Sequence, residues 1–140
     1  MVDRTQICEE LQVMYYDTDA GGVVHNIVYL RFIELARTKL AIQLGMSFDE
    51  IKRTNIHPVV VRTEIDYRKP ARLGDMLKVR GHLGEVKGVR FWVHFEIVRS
   101  SDEVVLVTSQ QALALVQMPE GRLLRLPKGF PKEAGLSASV

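Results

Sequence analysis

The sequence predicts an α+β domain in which a curved antiparallel β-sheet wraps around one long central α-helix. Three observations carry this. A helical pattern runs from Ile27 to Leu44, with apolar residues over an arc too wide for a narrow surface stripe. After Pro58 the period switches to two, and alternating segments fill most of the remaining chain. Short turn signals separate those segments, which makes neighbouring strands antiparallel and leaves one helix to cover their common face.

Residues 7–16 read as the first strand, with Ile7, Leu11, Val13 and Tyr15 on one face and Glu10 and Gln12 on the other. The long helix follows a polar turn and spans about 27 Å at 1.5 Å per residue. It ends at Gly45, a residue suited to the left-handed C′ position. Ser47-Phe48-Asp49-Glu50 has the form of a capping box and opens a short second helix to about Thr54. His57-Pro58 forces an extended entry to the next strand. There Val59, Val61, Thr63, Ile65 and Tyr67 alternate with Val60, Arg62, Glu64, Asp66 and Arg68.

Pro70 to Asp75 turns the chain into a strand carrying Leu77, Val79 and Leu83 against Lys78, Arg80 and His82. Glu85 to Gly88 reads as a hairpin turn. Phe91, Val93, Phe95 and Ile97 then alternate with Arg90, Trp92, His94 and Glu96. Ser100 to Glu103 turns again, and Val104 to Met118 is a long apolar strand closed by Pro119-Glu120-Gly121. The 140 residues form one domain, and the tail after Pro127 is expected at the surface.

Composition narrows the function. A formal net charge of +2 argues against a dedicated nucleic-acid binder. Cys8 is the single cysteine, so the chain has neither an internal disulfide nor a cysteine metal cluster. The N-terminal residues lack an apolar signal core, and no apolar run reaches the ~18 residues of a membrane span, so a cytoplasmic protein is expected.

The chemistry concentrates in Tyr15-Tyr16-Asp17-Thr18-Asp19-Ala20-Gly21-Gly22-Val23-Val24-His25-Asn26, directly before the long helix. A metal loop is one reading. Counted from Asp17 as an EF-hand, position 5 is Gly21 and position 12 is Val28, so two ligands are missing. No second metal-binding side chain lies at a zinc spacing from His25, and no metal is expected. A plain connection is the second reading: Asp and Gly are turn residues, and Asn26 is a good N-cap for a helix starting at Ile27. It leaves a second acid and paired glycines unexplained. The third reading is catalytic. Glycines let backbone N–H groups approach a ligand, and the first N–H groups of a helix have no internal partner, so they can hold an oxyanion. A carboxylate, with a reference pKa of about 3.9, can attack an activated carbonyl or take a proton from water that does. A thioester is activated enough for this. No Gly-x-Ser-x-Gly elbow is present.

Tyr16-Asp17-Thr18-Asp19-Ala20-Gly21-Gly22-Val23-Val24-His25-Asn26-x-x-Tyr29 resembles the signature of hotdog-fold acyl-CoA thioesterases of the 4-hydroxybenzoyl-CoA thioesterase type. It is closest to the branch associated with the bacterial Tol–Pal system. The resemblance continues through Glu34, Arg37 and the segment Tyr67 to Asp75, and covers about residues 8–127. It implies a strand, a long helix and a wrapping sheet, assembled as a dimer or a dimer of dimers with sites at the subunit interface. It places the catalytic carboxylate on Asp19, a bracing acid on Asp17 and the oxyanion donor on the backbone N–H of Asn26. His25 and Tyr29 fall at pocket-lining positions, and Val60 on the segment that would line the acyl tunnel. Contacts to coenzyme A fall on Lys87, Gly88 and Arg90, with Lys69 and Arg72 as further candidates. Coenzyme A is part of the substrate, and no separate cofactor is implied.

The residues leave two points open. Asp19 could act as nucleophile or as general base. A hydratase or dehydratase on the same fold, or a non-catalytic acyl-CoA-binding protein, are the alternatives to a thioesterase. The first of these needs a His-plus-acid pair beside the helix, which the sequence does not display.

Overall fold

The computed structural model describes residues 3–130. The chain opens with strand β1 (Gln6–Gln12) and a single 3-10 turn at Tyr15–Asp17. Helix α1 (Val28–Gln43) and the short α2 (Phe48–Thr54) come next. Strands β2 (Ile56–Tyr67), β3 (Met76–Lys87), β4 (Arg90–Arg99), β5 (Val104–Gln117) and β6 (Arg122–Leu124) follow. All pair antiparallel in one sheet of order β1-β3-β4-β5-β2, and β6 pairs with β5 beyond the end of β4.

One face of this sheet lies on α1. Leu77 and Val79 of β3, with Phe91, Val93, Phe95 and Ile97 of β4, alternate inward as their period-two pattern predicts. They join Tyr29, Phe32, Ile33, Ala36 and Leu40 of α1 in a single core. Ser47 Oγ accepts the Glu50 N–H at 3.2 Å and starts α2 as expected. Gly45 takes a φ of +94° after α1, the left-handed stop its position predicts.

Four local features depart from the sequence reading. The first strand stops at Gln12, not at residue 16, and Tyr15 is 82% exposed. Side chains there compete for the backbone: Asp17 Oδ2 accepts the Met14 N–H at 2.9 Å, and Thr18 Oγ1 donates to the Tyr15 carbonyl at 2.8 Å. In β2 the register shifts between Val60 and Arg62. This bulge at Val61 puts Val60 and Ile65 against the core and leaves Val59 and Val61 outside. The β3–β4 hairpin is tighter than the expected Glu85–Gly88 turn. Lys87 pairs with Arg90 across Gly88 and Val89, and Gly88 takes a φ of +64°. The short strand β6 was not expected, because its three residues have no alternation to read.

A single sheet face covers a single side of α1. Leu30, Leu35 and Ile42 on the other side are 36–40% exposed. The wide apolar arc of the sequence is therefore half satisfied within one protomer. At the chain end Pro127 is buried, and the Phe130 ring packs on Phe91 with centroids 5.0 Å apart. The remainder of the tail, 131–140, lies outside the described residues.

Candidate active site

The polar turn folds as a miniature hairpin. The His25 N–H donates to the Asp17 carbonyl at 3.0 Å, Thr18 and Val24 form an antiparallel bridge, and the Asp19 N–H donates to the Val23 carbonyl at 2.9 Å. Ala20, Gly21 and Gly22 close it, with the Gly22 N–H donating to the Asp19 carbonyl at 3.0 Å. Gly22 has a φ of +76°, a conformation in which a Cβ is strained.

The two acids of the turn have different surroundings. Asp17 is 4% exposed. Its carboxylate holds the Met14 N–H and its carbonyl holds the His25 N–H, so it pins the entry and the exit of the hairpin. Asp19 is exposed. Its Oδ1 accepts the Gly21 N–H at 2.8 Å, an Asx-type turn that fixes the carboxyl group. Among the described residues its second oxygen has no hydrogen-bond partner.

The structure corrects the expected helix cap. The N-cap of α1 is Ile27, already helical at φ −72° and ψ −23°, and no side chain caps it from Asn26. His25 serves the orphan N–H groups instead. Its carbonyl accepts the Val28 N–H at 2.9 Å, and its Nδ1 accepts the Ile27 N–H at a longer 3.4 Å. Among the described residues the Asn26 N–H has no acceptor. Asp19 lies two residues along the hairpin from the Asp17–His25 pair, roughly 7 Å of extended backbone. The free carboxylate oxygen and the free N–H therefore sit on the same short loop.

A second loop clasps this one. The Val24 N–H donates to the Ala71 carbonyl at 2.9 Å, and the Leu73 N–H donates to the Gly22 carbonyl at 3.1 Å. Tyr29, buried on α1, accepts the Ala71 N–H on its hydroxyl at 2.9 Å. Burial raises the pKa of this phenol, and the Ala71 hydrogen bond acts against the rise. Arg72 forms a bridge with Val23, and its N–H donates to Asp75 Oδ2 at 2.9 Å. Lys69 and Arg72 are both exposed on this clasp. The sequence marks Pro70 to Asp75 as a turn but carries no signal that it closes over residues 22–24.

The remaining sequence candidates stand elsewhere in the protomer. Lys87, Gly88 and Arg90 are exposed at the tip of the β3–β4 hairpin. β3 starts beside the clasp at Met76 and needs roughly 35 Å of strand to reach Lys87. Val60 pairs with Leu113, which pairs with Phe91, so it belongs to the same far end. One protomer brings Asp19, His25, Asn26, Tyr29 and Arg72 together, and leaves Val60, Lys87, Gly88 and Arg90 away from them.

Two further clusters lie outside the turn. His82 and His94 stack on the outer sheet face with centroids 5.2 Å apart, in a broad groove of about 770 Å³ that none of the sequence-derived site residues lines. On the inner face Arg37 Nη1 donates to Gln111 Oε1 at 2.8 Å, and Gln111 Nε2 donates to Thr63 Oγ1 at 3.2 Å. A Gln in a run of strand residues does not announce such a partner 74 positions away.

These features meet a consistent set of relatives. An acyl-CoA thioesterase from Haemophilus influenzae, YbgC, is 34% identical over 124 residues, covering 88% of this chain and 87% of that one. An acyl-CoA thioester hydrolase YbgC from Escherichia coli is 31% identical over 122 residues, covering 87% of each. The crystal structure of Slr0204, a 1,4-dihydroxy-2-naphthoyl-CoA thioesterase from Synechocystis, superposes with a TM-score of 0.80 at 25% identity, covering 94% of this chain and 96% of that one. The sheet and helix are those of the hotdog fold. A sequence profile of the thioesterase-like superfamily matches residues 13–133, and the chain belongs to that superfamily.

Proposed function

We propose that this protein hydrolyses an acyl-CoA thioester to a free carboxylic acid and coenzyme A. The observation that carries the reading is the exposed Asp19 carboxylate, with one oxygen unengaged, on the same hairpin as the acceptor-free Asn26 N–H. An oxygen of Asp19 attacks the acyl carbon, or accepts a proton from the water that attacks it. Charge develops on the carbonyl oxygen, and the Asn26 N–H at the helix start stabilises it. The tetrahedral intermediate collapses with departure of the thiolate. In the nucleophilic route water then cleaves the resulting anhydride and regenerates the carboxylate.

His25 and Tyr29 wall the acyl end of this site, Tyr29 through its ring, since its hydroxyl is engaged by Ala71. Val60, Lys87, Gly88 and Arg90 contribute from a second copy of the chain, Val60 to the acyl tunnel and the hairpin to the coenzyme A phosphates. The exposed apolar side of α1 and the unpaired edge of β2 support a dimer or dimer of dimers. The turn motif supports assignment to the 4-hydroxybenzoyl-CoA thioesterase type and its Tol–Pal-associated branch. Coenzyme A enters with the substrate, and the reaction requires no separate cofactor or metal. No helix among the described residues is long and apolar enough to cross a membrane. A cytoplasmic location suits the substrate.

The decisive experiment is Asp19→Asn assayed against a panel of acyl-CoA esters. An amide neither attacks nor accepts the proton, so hydrolysis falls by at least about a hundredfold while the fold is kept. A variant that hydrolyses as well as the parent removes Asp19 from the mechanism. Single turnover in labelled water separates the two routes: solvent oxygen appears in Asp19 in the nucleophilic one.

A further inference from the structure

Arg37 stands at the rim of an apolar cavity to which no function has been given. The cavity, about 170 Å³, lies between the C-terminal half of α1, α2 and the inner sheet face. Leu40, Leu44, Met46, Phe91 and Leu113 supply its walls. Thr38 and His57 join Arg37 as the polar residues bordering it. It is distinct from the Asp19 turn: Leu40 is twelve residues along α1 from Val28, about 18 Å.

The charge of Arg37 is poorly compensated. Its Nη1 donates to a neutral amide oxygen of Gln111 at 2.8 Å. Its one ionic contact, Nη2 to Glu34 Oε1, is long at 3.4 Å, and the Glu34 side chain is 64% exposed against 21% for Arg37. Burial works against this guanidinium, and Glu34 offsets that only in part. A guanidinium has five N–H donors in a planar fork suited to a carboxylate, and these two contacts use two of them. The neighbouring space can take a small apolar body, since an apolar void of about 150 Å³ accommodates benzene.

We propose that this cavity binds a small monocarboxylic acid, with a ring-sized apolar body among Leu40, Leu44, Phe91 and Leu113 and its carboxylate on Arg37. The pairing gives the guanidinium the counter-charge that Glu34 supplies incompletely. The apolar body fills space that water, short of polar partners there, fills poorly. The site stands independently of the hydrolytic reading, since binding requires no chemistry at Asp19.

The test is calorimetric titration of the full chain with benzoate at neutral pH, with benzyl alcohol as the uncharged comparator and no thioester present. Benzoate is expected to bind at least tenfold more tightly than benzyl alcohol. Arg37→Gln should remove that preference by weakening benzoate at least tenfold. Ala41→Leu, at a helical position lining the cavity, should abolish binding of both compounds. Should Arg37→Gln fail to fold, Arg37→Lys keeps the charge and should bind benzoate within a few-fold of the parent. Equal affinity for the two compounds overturns the ionic anchor. Binding that survives Ala41→Leu puts the ligand elsewhere, and no binding at millimolar benzoate overturns the site. Loss of hydrolysis in Asp19→Asn changes none of these outcomes.

Discussion

The Tyr29 hydroxyl accepts the backbone N–H of Ala71 at 2.9 Å across 42 residues of sequence, and both residues are buried. This bond ties the first turn of α1 to the loop that clasps the Asp19 hairpin. Tyr29→Phe keeps the ring in its T-shaped contact with Phe32 but leaves the Ala71 N–H without a partner. The expected cost is about 1–3 kcal/mol, the usual range for a buried donor left unsatisfied. It should appear as a lower urea midpoint at unchanged slope. Hydrolysis should weaken as well, because the clasp that holds Gly22 and Val24 loosens.

The same phenol makes a prediction about alkaline pH. Burial raises its pKa in the folded protein above the ordinary value of about 10. The folded state therefore keeps this proton at a pH where the unfolded chain has released it. Stability contributed by Tyr29 is complete below about pH 10 and falls as pH rises above it. Tyr29→Phe removes that titration. Unfolding free energies measured between pH 8 and 11 should fall more steeply for the parent than for the variant, and parallel curves would exclude the effect.

What the sequence disclosed follows from where its signals are local. Phe91, Val93, Phe95 and Ile97 declare their face through a two-residue period, and the core confirms each of them. Gly45 and Ser47 declare helix ends through conformations and hydrogen bonds confined to a few residues. The bulge at Val61 was illegible, because valines lie on both sides of it and nothing in their order marks the slip. Asn26 looked like a cap by residue type, yet the His25 imidazole reached the Ile27 N–H. The clasp of Ala71 on Tyr29 and the Arg37–Gln111 bond were hidden for another reason: both join segments far apart in sequence, which no local period encodes. The distance from Asp19 to Lys87 is likewise a property of how β3 runs, not of either motif.

Two glycines of β3 should respond differently to a methyl group. A Cβ on Gly81 would stand 2.8 Å from Phe95 Cε1, and Phe95 is fixed in the core at 4% exposure. Gly81→Ala should cost about 1–3 kcal/mol, as overpacking of a core does. A Cβ on Gly84 would stand 2.4 Å from the His94 ring, which is half-buried and can swing outward. The swing breaks the stack on His82 and the 3.3 Å contact of His94 Nε2 with Glu85. Surface contacts of this kind contribute little, so Gly84→Ala should cost about 1 kcal/mol or less. Thermal unfolding of the two variants ranks them directly.

The acids of the turn should separate stability from activity. Asp17→Ala removes the acceptor of the Met14 N–H and one of the pins of the hairpin, for an expected loss of about 1–2 kcal/mol. Its activity should fall with the fraction of properly closed hairpin, and cooling should recover part of it. Asp19→Asn retains an oxygen to accept the Gly21 N–H, so its stability should stay within about 0.5 kcal/mol of the parent. Its hydrolysis should be lost at every temperature. Denaturation and turnover measured on both variants decide the assignment. A destabilised Asp19→Asn beside a stable but inactive Asp17→Ala would exchange the two roles, because burial would then have protected the reactive acid and exposure the bracing one.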